Sequence, residues 1–301
     1  MPSPALEVLD LVKSYSTRRV VDEVSFTAEG GEITAVLGPN GAGKTTTIEC
    51  CAGLRSPDSG AIRVLGKDRL DPASAPELRR RVGVMVQGGG LPQAPSAGAV
   101  LAHVAKLHRR AGAERALAAS LGLTDRLSTA VRRLSGGERQ RVAIGCAMIG
   151  EPDLLFLDEP SAGVDPHSRR ELWQLLQRVR ERGASIVLTT HLMDEAEQLA
   201  DRIVVINRGT VVANGTVADL TGGTLITLGG QVADADSLAR AVDGQLIDGA
   251  DTTIEVPRSS AEVMHRLTSE LLARGLSDLE VNVRPRSLEN VFLALTREDE
   301  K

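Results

Sequence analysis

The stretch Gly38-Pro39-Asn40-Gly41-Ala42-Gly43-Lys44-Thr45-Thr46 constrains this chain more than any other. It reads G-x-x-x-x-G-K-T. It follows the apolar run Ile33 to Leu37 and precedes Thr45 to Leu54, a helix candidate with no proline and no glycine before Gly53. Strand, glycine loop and helix in that order is the setting in which this pattern binds phosphate. Gly38, Gly41 and Gly43 let the backbone curl without Cβ clashes. Successive N–H groups then point inward at the positive end of a helix. Lys44 is expected to reach the β- and γ-phosphates, and the Thr45 hydroxyl to ligate Mg2+. A glycine-rich turn with a solvated lysine is the plainer alternative, and the flanking strand and helix weigh against it.

Such a loop needs a core around it. The chain has 301 residues, 42% hydrophobic, enough for one large domain and a smaller one. Aromatics are only 2%, so Ala, Val and Leu must fill the core, and little is left for a base-stacking nucleic-acid platform. The formal net charge of -5 also argues against a nucleic-acid partner. Cys50, Cys51 and Cys146 fall inside apolar helical patterns. They read as buried reduced thiols in a cytosolic protein. Adjacent cysteines suit a zinc cage poorly. No apolar run approaches the roughly 18 residues that span a bilayer. Met1 to Pro4 lacks the basic-then-apolar pattern of a signal peptide, so any membrane role is expected to come through a partner.

Along the chain, Ala5 to Val12 alternates apolar and polar, which suits an edge strand, and the basic pair Arg18-Arg19 reads as a turn before a strand from Val20 to Ala28. Tyr15 could stack on a nucleobase or be an ordinary strand-end aromatic. Val82 to Val86 is an apolar run ending at Gln87, before Gly88-Gly89-Gly90. Gln87 could ligate Mg2+ or hold water; a solvated amide explains it equally. Ala97 to Leu127 is helical by period, and its His103 and His108 lack metal-like partners. Leu134-Ser135-Gly136-Gly137-Glu138 starts another helix, with Ser135 as cap and Glu138 completing a capping box. Two glycines there exceed what a capped helix needs, which points to a second anion site. The strand Asp153 to Leu157 ends in Asp158-Glu159, a pair suited to holding a metal and polarising water. A surface acidic turn is the alternative. Ser161 to Pro166 is a turn containing Asp165, and the strand Ser185 to Thr190 ends at His191, which could donate to a γ-phosphate or be structural. Arg208-Gly209 reads as a hairpin turn between Arg202 to Asn207 and Thr210 to Ala213.

Together these elements resemble the ATP-binding subunit of ABC transporters over roughly Leu6 to Asp219. Gly38 to Thr45 resembles the Walker A motif, Gln87 the Q-loop glutamine, Leu134 to Gln140 the signature motif, Leu154 to Glu159 Walker B, Ser161 to Asp165 the D-loop and His191 the switch histidine. The resemblance implies an α/β P-loop ATPase core at 1–220, with a helical subdomain at about 88–150. It implies ATP and Mg2+ as ligands. Gly38, Pro39, Asn40, Gly41, Ala42, Gly43, Lys44, Thr45 and Thr46 would hold the phosphates, with Tyr15 on the adenine. Thr45, Gln87 and Asp158 would hold the metal, while Glu159, His191, Lys44 and Gln87 would act in hydrolysis. It implies a head-to-tail dimer in which Ser135, Gly136, Gly137, Glu138 and Asp165 reach ATP on a second copy. Separately encoded transmembrane permease subunits would then place the protein at the cytoplasmic face of the membrane. The Gly88-Gly89-Gly90 run departs from the family pattern where that loop meets the membrane subunit.

Thr221-Gly222-Gly223 marks a composition break. Beyond it, 224–301 reads as a small α+β domain for regulation or dimerisation: a strand at Leu225 to Leu228, a helix at Ala235 to Val242, a strand pair from Gln245 to Val256 around Gly249, a helix capped by Ser259 or Ser260, a strand at Leu279 to Val283 and a last helix at Ser287 to Thr296. Arg286-Ser287-Leu288-Glu289-Asn290-Val291-Phe292 is similar to the C-terminal extension of ABC-2 exporter ATPases, a group that includes the daunorubicin/doxorubicin resistance ATPases. That implies export of a drug-like or lipid-like compound. A soluble ABC-type ATPase acting on ribosomes or DNA is the alternative, though paired cassettes or a coiled-coil insert are missing. A non-catalytic nucleotide sensor is a third, disfavoured by Glu159 and His191.

Overall fold

The computed structural model describes residues 4–88, 90–247, 251–257 and 260–297. The chain divides into two compact units, Met1–Thr216 and Val217–Lys301.

The first unit opens with β1 (Leu6–Tyr15) and β2 (Arg18–Ala28), then β3 (Ile33–Leu37), α1 (Lys44–Ala52), β4 (Ser59–Val64), β5 (Lys67–Asp68), α2 (Ala75–Arg81) and β6 (Val82–Met85). α3 (Ala97–Leu107), α4 (Ala113–Ser120) and α5 (Gly136–Met148) form the helical segment. The core resumes with β7 (Leu154–Asp158), α6 (Pro166–Glu181), β8 (Ser185–Thr190), α7 (Met193–Leu199), β9 (Arg202–Asn207) and β10 (Thr210–Thr216). One sheet is antiparallel, in the order β2-β1-β4-β5. The other runs β10-β9-β3-β8-β7-β6 and is parallel except for the β9–β10 hairpin.

Every residue of β3, β7 and β8 is buried. Strands covered on both faces read as unbroken apolar runs, which is why Ile33 to Leu37 and the run into Asp158 stand out in the sequence. The register pairs Met85 with Leu157, Asp158 with Thr189, and Leu37 with Thr190. The carboxyl ends of β6, β7, β8 and β3 therefore share one edge of the sheet, the edge at which open α/β sheets bind ligands.

Three expectations for this unit need correction. β1 is not an edge strand: it pairs with β2 on one side and β4 on the other. Alternation reports one buried face, not position in the sheet. Arg18 and Arg19 begin β2 rather than forming the turn. Ala97 to Leu127 is not one helix. The chain leaves α3 at His108, where Arg109 takes φ 56° and Gly112 φ 96°, before α4 begins. The period continues across this break because both helices bury one face against the same neighbours, so periodicity alone hides it.

The second unit contains α8 (Val217–Thr221), β11 (Thr224–Leu228), α9 (Ala235–Ala241), β12 (Gln245–Ile247), β13 (Thr252–Val256), α10 (Ala261–Ala273), β14 (Val281–Pro285) and α11 (Leu288–Arg297). Its antiparallel sheet has the order β12-β13-β11-β14. Ile226, Leu228, Ile254 and Val256 meet Leu238, Val242, Leu267 and Leu271 in its core. Ser260 caps α10 by accepting from the Val263 N–H. Gly89, Gly249 and Ser259 lie outside the described residues.

Candidate functional site

The phosphate loop joins β3 to α1, and its glycines have distinct causes. A methyl on Gly38 would stand 2.2 Å from the Ile206 carbonyl oxygen, and one on Gly43 2.5 Å from that of Val20. Gly41 and Gly43 take φ 81° and 104°, which favour glycine. All three suit a phosphate cradle, and two are already required by the chain's own packing. The loop is also braced from behind. Gly209, in the β9–β10 turn, donates its N–H to the Ala42 carbonyl at 3.0 Å. Arg208 and Gly209 both have positive φ, at 47° and 87°, as a tight hairpin turn requires.

Lys44 is buried and donates from Nζ to the carbonyls of Gly38 at 2.7 Å and Pro39 at 3.1 Å. An ammonium has three donors, so one remains for a phosphate oxygen. Burial holds its pKa below the ordinary lysine value, while Glu159 and Asp158 push it back up. Thr46 follows on the first turn of α1, and Pro39 and Asn40 lie on the loop.

Asp158 ends β7 almost fully buried. Its Oδ1 accepts from Thr45 Oγ1 at 3.3 Å and, more closely, from Thr189 Oγ1. Burial raises its pKa, and these two hydroxyls oppose the rise. A carboxylate beside a hydroxyl is the hard oxygen set that Mg2+ prefers, usually completed by substrate phosphates and water. Among the described residues no three or more His, Cys, Asp or Glu are grouped to hold a metal. Thr45 and Asp158 fit a metal bound chiefly through its phosphate.

Glu159 takes φ 50°, a conformation that costs a non-glycine residue on the order of 1–3 kcal/mol. Its backbone N–H donates to the Thr189 carbonyl at 3.2 Å and hydroxyl at 3.0 Å, and its carbonyl accepts from Gln140 Nε2 at 2.8 Å. Its carboxylate lies 3.5 Å from Gln87 Nε2 through Oε2 and 3.3 Å from His191 Nδ1 through Oε1. The ends of β6, β7 and β8 thus meet on one carboxylate beside the phosphate loop. The contacts of Thr189 and Gln140 with Glu159 are not legible in the sequence, although Gln140 closes the stretch that resembles the signature motif. Thr189 looks like an ordinary strand threonine, and the Gln140 contact is set by how α5 packs.

Other expected residues stand apart from this cluster. Tyr15 ends β1, 39% exposed, with the Arg55 guanidinium 5.1 Å from its ring centroid, a cation–π contact. Ser135 caps α5 by accepting from the Glu138 N–H at 3.2 Å, and Glu138 accepts from the Ser135 N–H at 2.8 Å, closing the capping box. The other oxygen of Glu138 pairs with Arg126 at 2.6 Å. Methyls on Gly136 and Gly137 would come no nearer than 3.5 Å to Gly163 and 3.7 Å to Val164. Asp165 caps α6, accepting from the N–H groups of His167 and Ser168.

A phosphate loop after a central parallel strand, with a hydroxyl–carboxylate pair and a second carboxylate on the adjacent strand ends, defines a P-loop nucleoside triphosphatase. The family model described as "ABC transporter" matches residues 21–162. The chain is 36% identical over 314 residues to the daunorubicin/doxorubicin resistance ATP-binding protein DrrA of Streptomyces peucetius, across 98% of this chain and 93% of that one. It is 36% identical over 308 residues to the Nod factor export ATP-binding protein I of Sinorhizobium fredii, across 99% and 87%. A solved ATP-binding subunit of an ABC transporter, 33% identical, superposes with a TM-score of 0.65 over 72% of this chain and 91% of its own. A nucleotide-free ATP-binding cassette from an ABC transporter, 22% identical, shows the same fold at a TM-score of 0.62, over 71% and 92%. The chain belongs to the ATP-binding subunits of the ABC transporters, and it is an ATPase.

Proposed function

We propose that this ATPase closes around ATP as a head-to-tail dimer and so powers an exporter of drug-like or lipid-like compounds. The observation that carries the reading is the Glu159 carboxylate, set between Gln87 Nε2 and His191 Nδ1 directly after the metal-suited Asp158. Glu159 takes the proton from attacking water as general base. Lys44 and His191 aim donors at the γ-phosphate, where charge develops. Gln87, in contact with Glu159, would place the water and serve as a further ligand of the metal. When bound with ATP by Thr45 and Asp158, Mg2+ neutralises phosphate charge.

The dimer is supported by the signature glycines. Neither Gly136 nor Gly137 has a positive φ, and a methyl at either would make only ordinary contacts within the chain. Glycine in a helix costs up to about 1 kcal/mol relative to alanine. Close approach by phosphate on a second copy accounts for both, with Ser135, Glu138 and Asp165 beside them. Tyr15 stacks on adenine in this reading.

Export is supported by the relatives, whose names describe daunorubicin/doxorubicin resistance and Nod factor export. Among the described residues no helix is long and apolar enough to cross a membrane. In this reading separately encoded permease subunits hold the protein at the cytoplasmic face, and the second unit is a regulatory or dimerisation domain.

The test is Glu159→Gln. ATP binding should persist while turnover falls by about 100-fold or more, near 2.7 kcal/mol. The tagged variant, drawn from native membranes in detergent with Mg-ATP, should bring a polytopic membrane protein with it. Ribosomal or DNA-bound partners without a membrane protein would replace this reading with a soluble ATPase, and wild-type turnover would remove Glu159 from the mechanism.

A further inference from the structure

Glu195 stands in the first turn of α7 with none of its surface exposed. Acidic residues favour helix N-termini, but normally in water. An apolar side chain would fill this place without the desolvation that a buried carboxyl incurs. What occupies the carboxyl is specific. Its Oε1 accepts closely from the Ser161 hydroxyl and from Trp173 Nε1 at 3.1 Å. Trp173 Nε1 also lies 3.3 Å from Ser161 Oγ, so the three side chains close a triangle. Oε2 makes no hydrogen bond of good geometry. Burial raises the Glu195 pKa, against the pull of Ser161, Thr190, Trp173 and the nearby Arg169.

The triangle sits between the two segments that carry the reacting groups. Ser161 is two residues beyond Glu159. Glu195 is four residues beyond His191, whose Nδ1 meets the Glu159 carboxylate. Chain and contacts together form a closed ring: Glu159, Ser161, Glu195, His191 and back to Glu159. Glu159 holds a left-handed conformation, which persists only where its surroundings over-determine it. Thr189 and Gln140 fix the backbone of Glu159 itself. The Glu195 carboxyl ties the turn that follows to the helix behind His191 from within, while Arg169, bonded to the Val164 carbonyl and paired with Asp194, links the same segments nearer the surface.

We propose that Glu195 is a positioning residue for hydrolysis: bound to Ser161 and Trp173, it holds the turn after Glu159 and the segment bearing His191 in the alignment that turnover needs. The inference rests on the reading of Glu159 and His191 given above. It assigns Trp173 a second use, because this is the only tryptophan in the chain and its indole N–H reports the triangle directly.

The experiment compares the full chain with Glu195→Ala, Glu195→Gln, Ser161→Ala and the Ser161→Ala/Glu195→Ala pair, in steady-state ATP hydrolysis with Mg-ATP, with Trp173 emission and denaturant midpoints measured alongside. Glu195→Ala should lower kcat by about tenfold or more while KM for ATP stays within about twofold, since misplacement affects reaction more than binding. Trp173 emission should shift. Glu195→Gln keeps an oxygen for Ser161 and Trp173 and should restore kcat to within about threefold of wild type. The pair should fall no further than the worse single variant, because both remove one contact. Wild-type kcat in Glu195→Ala, a Glu195→Gln as slow as Glu195→Ala, or additive losses would each overturn the proposal. If Glu195→Ala does not fold, Ser161→Ala decides: slowed turnover at an unchanged midpoint supports the proposal, and unchanged turnover overturns it. Glu159→Gln, measured in parallel, separates the two ideas. Turnover kept there removes the hydrolysis reading itself; turnover lost there but kept in Glu195→Ala removes this inference alone.

Discussion

The starts of α1 and α5 both carry glycine, and they differ in what demands it. At α1 the protein itself forbids a side chain: Gly38 and Gly43 abut the carbonyls of Ile206 and Val20, and Gly43 is left-handed. At α5 nothing within the chain forbids one at Gly136 or Gly137. The first start is a finished cradle whose shape is part of the fold. The second is a capped helix end with bare space in front of it, which the fold alone does not explain.

That contrast can be broken at either end. The largest expected effect is at Gly38→Ala, where the new Cβ meets a backbone oxygen that cannot rotate away. Stability should drop by about 3 kcal/mol, read as the denaturant midpoint. An unchanged midpoint would mean that the loop yields easily and that packing does not require its glycine. Next is Gly137→Ala, which should cost turnover by about tenfold or more, about 1.4 kcal/mol, while the midpoint holds or rises with the better helix former. Full turnover there would remove the case for a partner's phosphate at α5. Ser135→Ala should lose about 1 kcal/mol of stability as the cap goes, while Ser135→Gly should lose only a few tenths. Equal losses in the two would place the role of Ser135 outside the cap.

The smallest effect is in pH. Burial raises the Glu195 pKa above its ordinary value of 4.5. Its stabilising contribution is therefore complete below that value and is lost as pH rises through the folded-state pKa. The unfolding temperature of Glu195→Gln should gain on that of wild type as pH climbs from about 4.5, the ordinary value. A difference independent of pH would show that the carboxyl titrates alike in the folded and unfolded chain.

The same contrast explains what could be read from the sequence. Gly38 to Thr45, Gln87, Asp158-Glu159 and His191 were legible because each follows an apolar run, and buried parallel strands write themselves as such runs. The Ser135–Glu138 capping box was legible because its contacts are three residues apart. Thr189, Gln140 and Gly209 act on Asp158, Glu159 and Ala42 across long stretches of sequence: a strand threonine, the end of a motif and a hairpin glycine carry no local mark of those contacts. Ser161, Trp173 and Glu195 come from three elements that only the tertiary fold joins. The break between α3 and α4 is hidden because the helical period runs on across it, Arg109 turns left-handed without being glycine, and Gly112 alone reads as an isolated helix glycine. The interior place of β1 was hidden because hydrogen-bonded neighbours leave no trace in side-chain alternation.

The bond from the Gly209 N–H to the Ala42 carbonyl bears on how the protein is made. The phosphate loop emerges early in synthesis, yet its brace and β9, which flanks β3, come some 160 residues later, behind every other candidate site residue. Chains fold as they emerge, amino-terminal parts first. A nascent chain halted before Gly209 carries the full set of motifs around an unsecured loop. A ribosome-stalled fragment of that length is therefore expected to bind ATP poorly, although it contains every residue proposed to touch it.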